Sequence, residues 1–516
     1  MTTSQLSRRD VFRAGGWTAA ASLSAGAPAV PAAEGSRSSN IYTRIGVRPF
    51  INCTATYTIN GGTLTLPEVK QSMEEASRYS VNIDELMEKA GERLAKLLQC
   101  PFGMVTAGAA AALTHATAAC VTGGDPEKML QLPDLTGLRN EVITTRQSRH
   151  VYDHAIRAVG VKMIEVETPE EFRAALSKRT AMIALLGTGE ARGKIRLEEM
   201  AQAGGRAGVP VLVDAAAELP TPPNPYLSRG ADLVAYSGGK ILRGPQCAGL
   251  LLGRQDLVRA AWLNSSPHHA FGRSMKVGKE EIMGMLAAVE AWVSRRDLQA
   301  EYRQWEGWYR HISEVLTRLP GVQTEVQGPA GASPFPVLHL RWNPDQMGIT
   351  AGEVYQQLLN GEPRIMSHAS GDSHSFMIRP VSMQPGDEKL VAARLYEIFR
   401  QAPSRRPAPA RSAPAAVGGR WDVEVQFVSG SARHTLFLEQ EGHRVSGLHL
   451  GRALRGDLRG SVDGNQVQLR SSFRYESATL NYTFTGQVAG DSIEGQVELG
   501  EYGPARWAAR RHRYHA

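Results

Sequence analysis

Val211-Leu212-Val213-Asp214 and, further along, Ala231-Asp232-Leu233-Val234-Ala235-Tyr236-Ser237-Gly238-Gly239-Lys240 are the two stretches whose reading decides the fold. Each is a short apolar run that leads to an ionisable residue. Runs of this length between helical patterns predict buried strands of a parallel sheet, and such sheets gather ligands at the carboxyl ends of their strands. Asp214 and Lys240 stand at two such ends. A lysine and an acid in this setting suit pyridoxal 5'-phosphate. The amine forms a Schiff base, and the carboxylate keeps the ring nitrogen protonated so that the ring accepts electrons. By spacing alone the pair also has a plainer reading, in which Asp214 caps a turn and Lys240 is a surface charge.

Outward from these strands, apolar runs such as Ala181 to Leu186 and Val209 to Val213 alternate with helical patterns such as Leu86 to Leu98. The alternation extends from about Asn40 to Gln401 and predicts an α/β fold with a largely parallel sheet covered on both faces. Between Ala402 and Gly419 the text turns to Pro, Ala and Arg without periodicity, as in an extended linker. Beyond it, strands such as His434-Thr435-Leu436-Phe437-Leu438 and Asn481-Tyr482-Thr483-Phe484 recur between Gly- and Asp-rich turns. They predict an antiparallel barrel or sandwich over 420–516, with Trp421, Leu436, Leu438, Val467, Leu469, Tyr482, Phe484 and Trp507 as its core. Because the linker lacks apolar periodicity, this module is expected to stand apart from the active site.

The chain has 516 residues, 42% of them apolar and 21% charged, which excludes the disordered and membrane classes. Its net charge of +7 is scattered among acids, a weak basis for nucleic-acid binding. Cys53, Cys100, Cys120 and Cys247 show neither CxxC nor His-ligand spacing, so neither a metal site nor a disulfide framework is expected. At the N-terminus, Ser7-Arg8-Arg9-Asp10-Val11-Phe12 precedes an Ala-rich stretch from Ala14 to Ala29. This is the layout of a twin-arginine export signal over 1–33, too short and too weakly apolar to remain as a membrane helix. A periplasmic or extracellular location follows as an expectation, and the route carries folded proteins with cofactor already bound.

The segment from Asp232 to Gly249, DLVAYSGGKILRGPQCAG, closely resembles the lysine segment of the selenocysteine synthase family (L-seryl-tRNA selenium transferases) and its relatives without a tRNA role. Ile51 to Thr58 with Gly61-Gly62, Thr106 to Ala111, and Tyr152 to Arg157 resemble the same family. The resemblance runs over roughly Ile41 to Ile398. It implies a fold-type-I, aminotransferase-like architecture, a homodimer or larger homo-oligomer, and a cofactor seated between a large domain, expected over 40–300, and a small domain, expected over 301–401.

The resemblance further implies a phosphate cup at Thr106, Gly108, Ala109 and Ala110, where a helix N-terminus faces an anion. Ser237 and Gly239 match positions that approach the phosphate, and the plainer reading there is a tight turn. His150 and Asp153 match the segment near the ring, with His150 as the stacking candidate. Arg364 or Arg379 is a candidate to hold a substrate carboxylate through a bidentate pair, though either residue also reads as an ordinary surface ion pair. Gly187-Thr188-Gly189-Glu190-Ala191-Arg192-Gly193 imitates a dinucleotide loop, but its third glycine comes one residue late and no first βα unit surrounds it.

The expected activity is that of a pyridoxal phosphate enzyme on a small amino acid or amino sugar. Lys240 labilises the Cα proton and elimination follows. Racemisation, transamination and selenium transfer are the alternatives within the family. The tRNA-dependent reaction is not expected, because an export signal precedes Ile41 where a tRNA-gripping domain is needed. An exported, non-catalytic binding protein is the alternative from another class, and the retention of Lys240 and Asp214 speaks against it.

Overall fold

The computed structural model describes residues 40–329, 334–369, 374–403 and 412–513. The expected export signal lies outside them, as does most of the linker. Two compact units are distinguished, Met1–Pro49 and Phe50–Ala516. In the first, the described residues Asn40–Pro49 hold one 3-10 turn at Thr43–Ile45. The Asn40 side chain accepts the amides of Tyr42 and Thr43 there.

In the second unit the predicted α/β sheet has seven strands: β1 (Phe102–Thr106), β2 (Glu141–Thr145), β3 (Lys162–Val166), β4 (Thr180–Leu186), β5 (Val211–Asp214), β6 (Leu233–Ser237) and β7 (Gly249–Gly253). Their order is β1-β7-β6-β5-β4-β2-β3. Strands β2 to β6 run parallel, and β7 is antiparallel to both of its neighbours. Every residue of β5 is buried, as a strand covered on both faces requires. Helix α1 (Gly108–Thr122) follows β1 and is buried along most of its length. Its run of Ala and small residues lets it lie close against the sheet.

A second core belongs to the small domain. There β8 (Gln323–Gln327), β9 (Val337–Arg341), β10 (His368–Ala369) and β11 (Ser375–Ile378) form a sheet in the order β10-β11-β9-β8. Trp305, Trp308 and Tyr309 from helix α2 (Leu298–Leu316) and Leu395 and Phe399 from helix α3 (Asp387–Gln401) pack in the same core. The segment Ile51–Ala55, expected in the large domain, joins this core instead. Ile51–Asn52 pairs in parallel with Ile365–Met366, which the local sequence does not reveal because the partner strand lies some 300 residues on.

The C-terminal strands close into a barrel rather than a sandwich: β12 (Gly419–Gln426), β13 (Ser431–Glu441), β14 (Arg444–Leu450), β15 (Arg455–Asp463), β16 (Gln466–Tyr475), β17 (Ala478–Ala489), β18 (Ser492–Glu498) and β19 (Pro504–Arg511). Strand β19 pairs back onto β12, so no edge is left open. Seven of the eight expected core residues are buried, and Tyr482 packs against them half-buried. Val417 is also buried in this core, and the Ala416 carbonyl accepts from Arg511 Nη2 at 2.8 Å. The last residues of the expected linker therefore belong to the barrel. The module does not stand apart. The tight turn Glu476-Ser477 between β16 and β17 contacts Arg149 and Asp153 of the large domain. Linker composition carries no information about what the far end of a barrel touches.

Candidate active site

Asp214 ends β5, and Lys240 follows β6 after Gly238-Gly239, so adjacent parallel strands deliver both to the same sheet edge. Asp214 is buried. Its Oδ1 accepts the amide of Ala216 at 3.0 Å, and its Oδ2 lies 3.4 Å from His150 Nε2. Burial raises the carboxyl above its ordinary range and outweighs the opposing pull of His150, the Ala216 amide and Lys240. Burial lowers the Lys240 amine, and the attraction of Asp214 only partly offsets this. A lowered amine is more often neutral, which is the nucleophilic form.

The loop carrying Lys240 is locked to both domains. Thr63 N donates to Gly239 O at 3.2 Å, and Leu66 N donates to Arg243 O at 3.1 Å. Ile241 is buried in the small-domain core. At Gly239 a Cβ would come within 2.7 Å of the Gln246 backbone, so only glycine fits the turn. Ser237, half-buried, ends β6 opposite Gly249.

Helix α1 opens at Gly108 with no side-chain cap and no acid in its first turn, leaving its first amides for an anion. Gly108, at φ +86°, turns the chain into the helix. Thr106 is buried, and its hydroxyl donates to Gly108 O at 2.8 Å, so it shapes the turn. Ala109 is half-buried and Ala110 exposed at this end.

His150 leaves β2 through the turn Arg146–Ser148. Its ring lies 5.9 Å from that of Tyr152, tilted by 53°, and the Tyr152 centroid is 5.9 Å from Lys240 Nζ. Asp153 lines a small cavity together with His150 and Asp214 and takes part in a buried ion cluster. Arg149 Nε is 2.6 Å from its Oδ2, and Arg157 Nε is 3.2 Å from its Oδ1. Two cations four residues away on either side claim the carboxylate.

The two small-domain arginines differ. Arg364 Nε donates to Leu359 O at 3.2 Å, and its guanidinium lies 5.9 Å from the Phe50 ring. Arg379 donates its backbone amide to Cys53 O at 2.9 Å. Its Nη1 is buried with no hydrogen-bond partner among the described residues. Arg379 is thereby tied to the segment Ile51–Ala55, which packs in the small-domain core.

The loop Gly187–Gly193 follows β4 as a short helix whose Glu190 pairs with Arg229. Sequence reasoning missed Tyr152, Arg149 and Glu218. Glu218 is held by the Tyr226 hydroxyl at 2.9 and 2.8 Å and raised first by burial. A spacing of four between Arg149 and Asp153 was the available signal for that pair, and for Tyr152 it was its place at the head of the family-like segment Tyr152 to Arg157.

The residues present fit pyridoxal phosphate. They offer a buried acid in need of a cation, a lysine that burial favours as neutral, and an uncapped helix start for a phosphate. The Aminotransferase class-V family matches residues 68–277. D-glucosaminate-6-phosphate ammonia lyase of Salmonella typhimurium is 28% identical over 70% of this chain and 99% of its own. A solved structure of that ammonia-lyase superposes with a TM-score of 0.63 over 71% of this chain and 99% of its own. The 5'-C-glycyluridine monooxygenase-decarboxylase of a Streptomyces species is 31% identical over 69% of this chain and 92% of its own. An L-seryl-tRNA(Sec) selenium transferase of Proteus mirabilis is 27% identical, over 42% of this chain and 48% of its own.

Proposed function

Because this chain belongs to the aminotransferase class-V family of fold-type-I pyridoxal phosphate enzymes, we propose that it removes the Cα proton of a small amino acid or amino sugar and completes an α,β-elimination. The observation that carries this reading is the pairing of Lys240 and Asp214 at adjacent strand ends, with burial moving both away from charge. When bound, the cofactor supplies an electron sink for the Cα carbanion. Asp214, one oxygen of which is fixed by the Ala216 amide, would hold the proton on the ring nitrogen. His150 would cover the ring face, and the first amides of α1, with Gly239 and Ser237, would hold the phosphate. Lys240 Nζ takes the proton from Cα and returns it to the leaving group or product. Arg379 orients the substrate carboxylate, since its buried Nη1 has no hydrogen-bond partner among the described residues. Arg364 is already engaged by a main-chain carbonyl and remains the secondary candidate.

The ammonia lyase among the relatives favours elimination and an amino sugar acid as substrate. Amino acids and amino sugars, including phosphorylated sugar acids, are therefore to be screened for release of ammonia and keto acid. Release that Lys240→Ala abolishes supports the reading; exchange of the Cα proton or amino transfer without release would replace elimination with racemisation or transamination. Export by the twin-arginine route and assembly as a homodimer or larger homo-oligomer complete the proposal. The paired Arg8-Arg9 before an Ala-rich stretch supports the former. Among the described residues no helix is long and apolar enough to cross a membrane. Fractionation of cells expressing the Arg8→Lys, Arg9→Lys variant tests the export route, and sedimentation tests the assembly.

A further inference from the structure

The barrel has its own closed core, yet its Glu476-Ser477 turn reaches the residues on either side of His150. Glu476 Oε2 lies 2.6 Å from Arg149 Nη2, and Ser477 Oγ donates to Asp153 Oδ1 at 2.8 Å. Arg149 in turn reaches Asp153 Oδ2 at 2.6 Å and Glu165 Oε2 at 3.4 Å. The side chains of Arg149 and Asp153 are only 7% and 3% exposed. The Arg149–Asp153 pair is therefore shielded from water, a setting in which charge-assisted hydrogen bonds are strong, while Glu476 closes over it from the solvent side with its own side chain 39% exposed. Glu476 adopts φ +53°, a conformation that glycine or asparagine would take more readily in a two-residue hairpin. The turn thus carries a side chain at a backbone position that does not favour one, and that side chain is spent on Arg149.

We infer that the barrel completes the active site, with Glu476 and Ser477 as positioning residues that hold His150 in place through Arg149 and Asp153. The inference rests on the reading of Lys240, Asp214 and His150 as the cofactor site. The chain between Arg149 and Asp153 includes the 3-10 turn Val151–Asp153, so clamping both ends fixes the path of His150 and Tyr152. His150 is itself only 3.4 Å from Asp214. Arg149 and Asp153 form an ion pair on their own. The barrel adds a third carboxylate to Arg149, beside those of Asp153 and Glu165, and a hydroxyl to Asp153, so that the cluster is also anchored on a separate core.

The test uses the full chain with Glu476→Gln, Glu476→Ala and Ser477→Ala, singly and as the Ala/Ala double variant. Glu441→Ala, at the β13–β14 turn of the barrel's other end, serves as control. Pyridoxal phosphate is titrated into each apoprotein, and its visible circular dichroism is recorded. The double variant is expected to bind the cofactor about tenfold more weakly and to alter its dichroism. Glu476→Gln, which keeps a hydrogen-bonding group, recovers most of both, and the control matches the parent. If the double variant does not fold, the two single variants carry the same comparison. Parent-like affinity and dichroism in folded Glu476→Ala and Ser477→Ala would overturn the inference. A parent protein that takes up no cofactor through Lys240 would overturn the underlying site reading instead, a separate and earlier failure.

Discussion

Replacing Asp214 by Asn isolates the charge of one buried atom. The amide keeps the shape of the carboxylate, and its oxygen can still accept the Ala216 amide at the position Asp214 Oδ1 holds at 3.0 Å. Its nitrogen then occupies the place of Oδ2, 3.4 Å from His150 and facing the cofactor site. A donor now stands where the protonated ring nitrogen needs an acceptor, so the ring is held neutral. Asp214 is buried, so solvent screening does little to soften the change. Removing one partner of a buried ion pair costs about 3–5 kcal/mol. At about 1.4 kcal/mol per decade, kcat/KM falls by about two to four orders of magnitude. The assay is steady-state kcat/KM with the best substrate from the screen, with cofactor content measured on the same sample. Cofactor should be retained, because Lys240 and the phosphate cup are untouched. A variant that keeps full cofactor and stays within about fivefold of the parent would refute the role of Asp214 at the ring nitrogen, since no decade-scale effect of charge would then exist.

Lys240→Ala should lose the covalent cofactor link and all turnover, and borohydride reduction with peptide mapping should place the pyridoxyl group on Lys240 in the parent; a label on any other lysine rejects the assignment. Arg379→Gln should raise KM for a carboxylate-bearing substrate by about tenfold or more with a smaller change in kcat, the cost of a lost charge-assisted pair; an unchanged KM would move the role to Arg364. In the barrel, His449 contacts His434 at 2.8 Å and Ser471 at 2.6 Å and is held down to about 3, first by burial and then by the nearby His434. The unfolded imidazole titrates near 6.5, so the unfolded chain binds the extra proton first, and the contribution present above about pH 6.5 is lost as pH falls toward the folded value, on the order of 3 kcal/mol by pH 4. Denaturant unfolding at pH 7 and pH 4 should show this loss and His449→Leu should reduce it, whereas an identical loss in that variant would place the acid sensitivity elsewhere.

Local sequence was sufficient for the elements that local physics governs. Val211 to Asp214 and Asp232 to Lys240 are apolar runs ending in polar groups, and such runs become buried strands wherever they pack. The family likeness of the lysine segment supplied the cofactor, and the alternating strands after Arg420 supplied the all-β module with its core. Tertiary structure decided the rest, because each remaining feature depends on partners far away in the chain. Ile51–Ala55 joins the small domain only through pairing with Ile365–Met366. Arg379 is distinguished from Arg364 only by which atoms neighbouring strands leave unpartnered. Asp153 has its carboxylate taken up because Arg149, Arg157 and Ser477 converge on it. The barrel's reach to Arg149 depends on where the Glu476-Ser477 turn meets the large domain, more than 300 residues from it in the chain. Hydrophobic period and turn chemistry are written along the chain. Which buried charge meets which is set by the three-dimensional packing that excludes water from both.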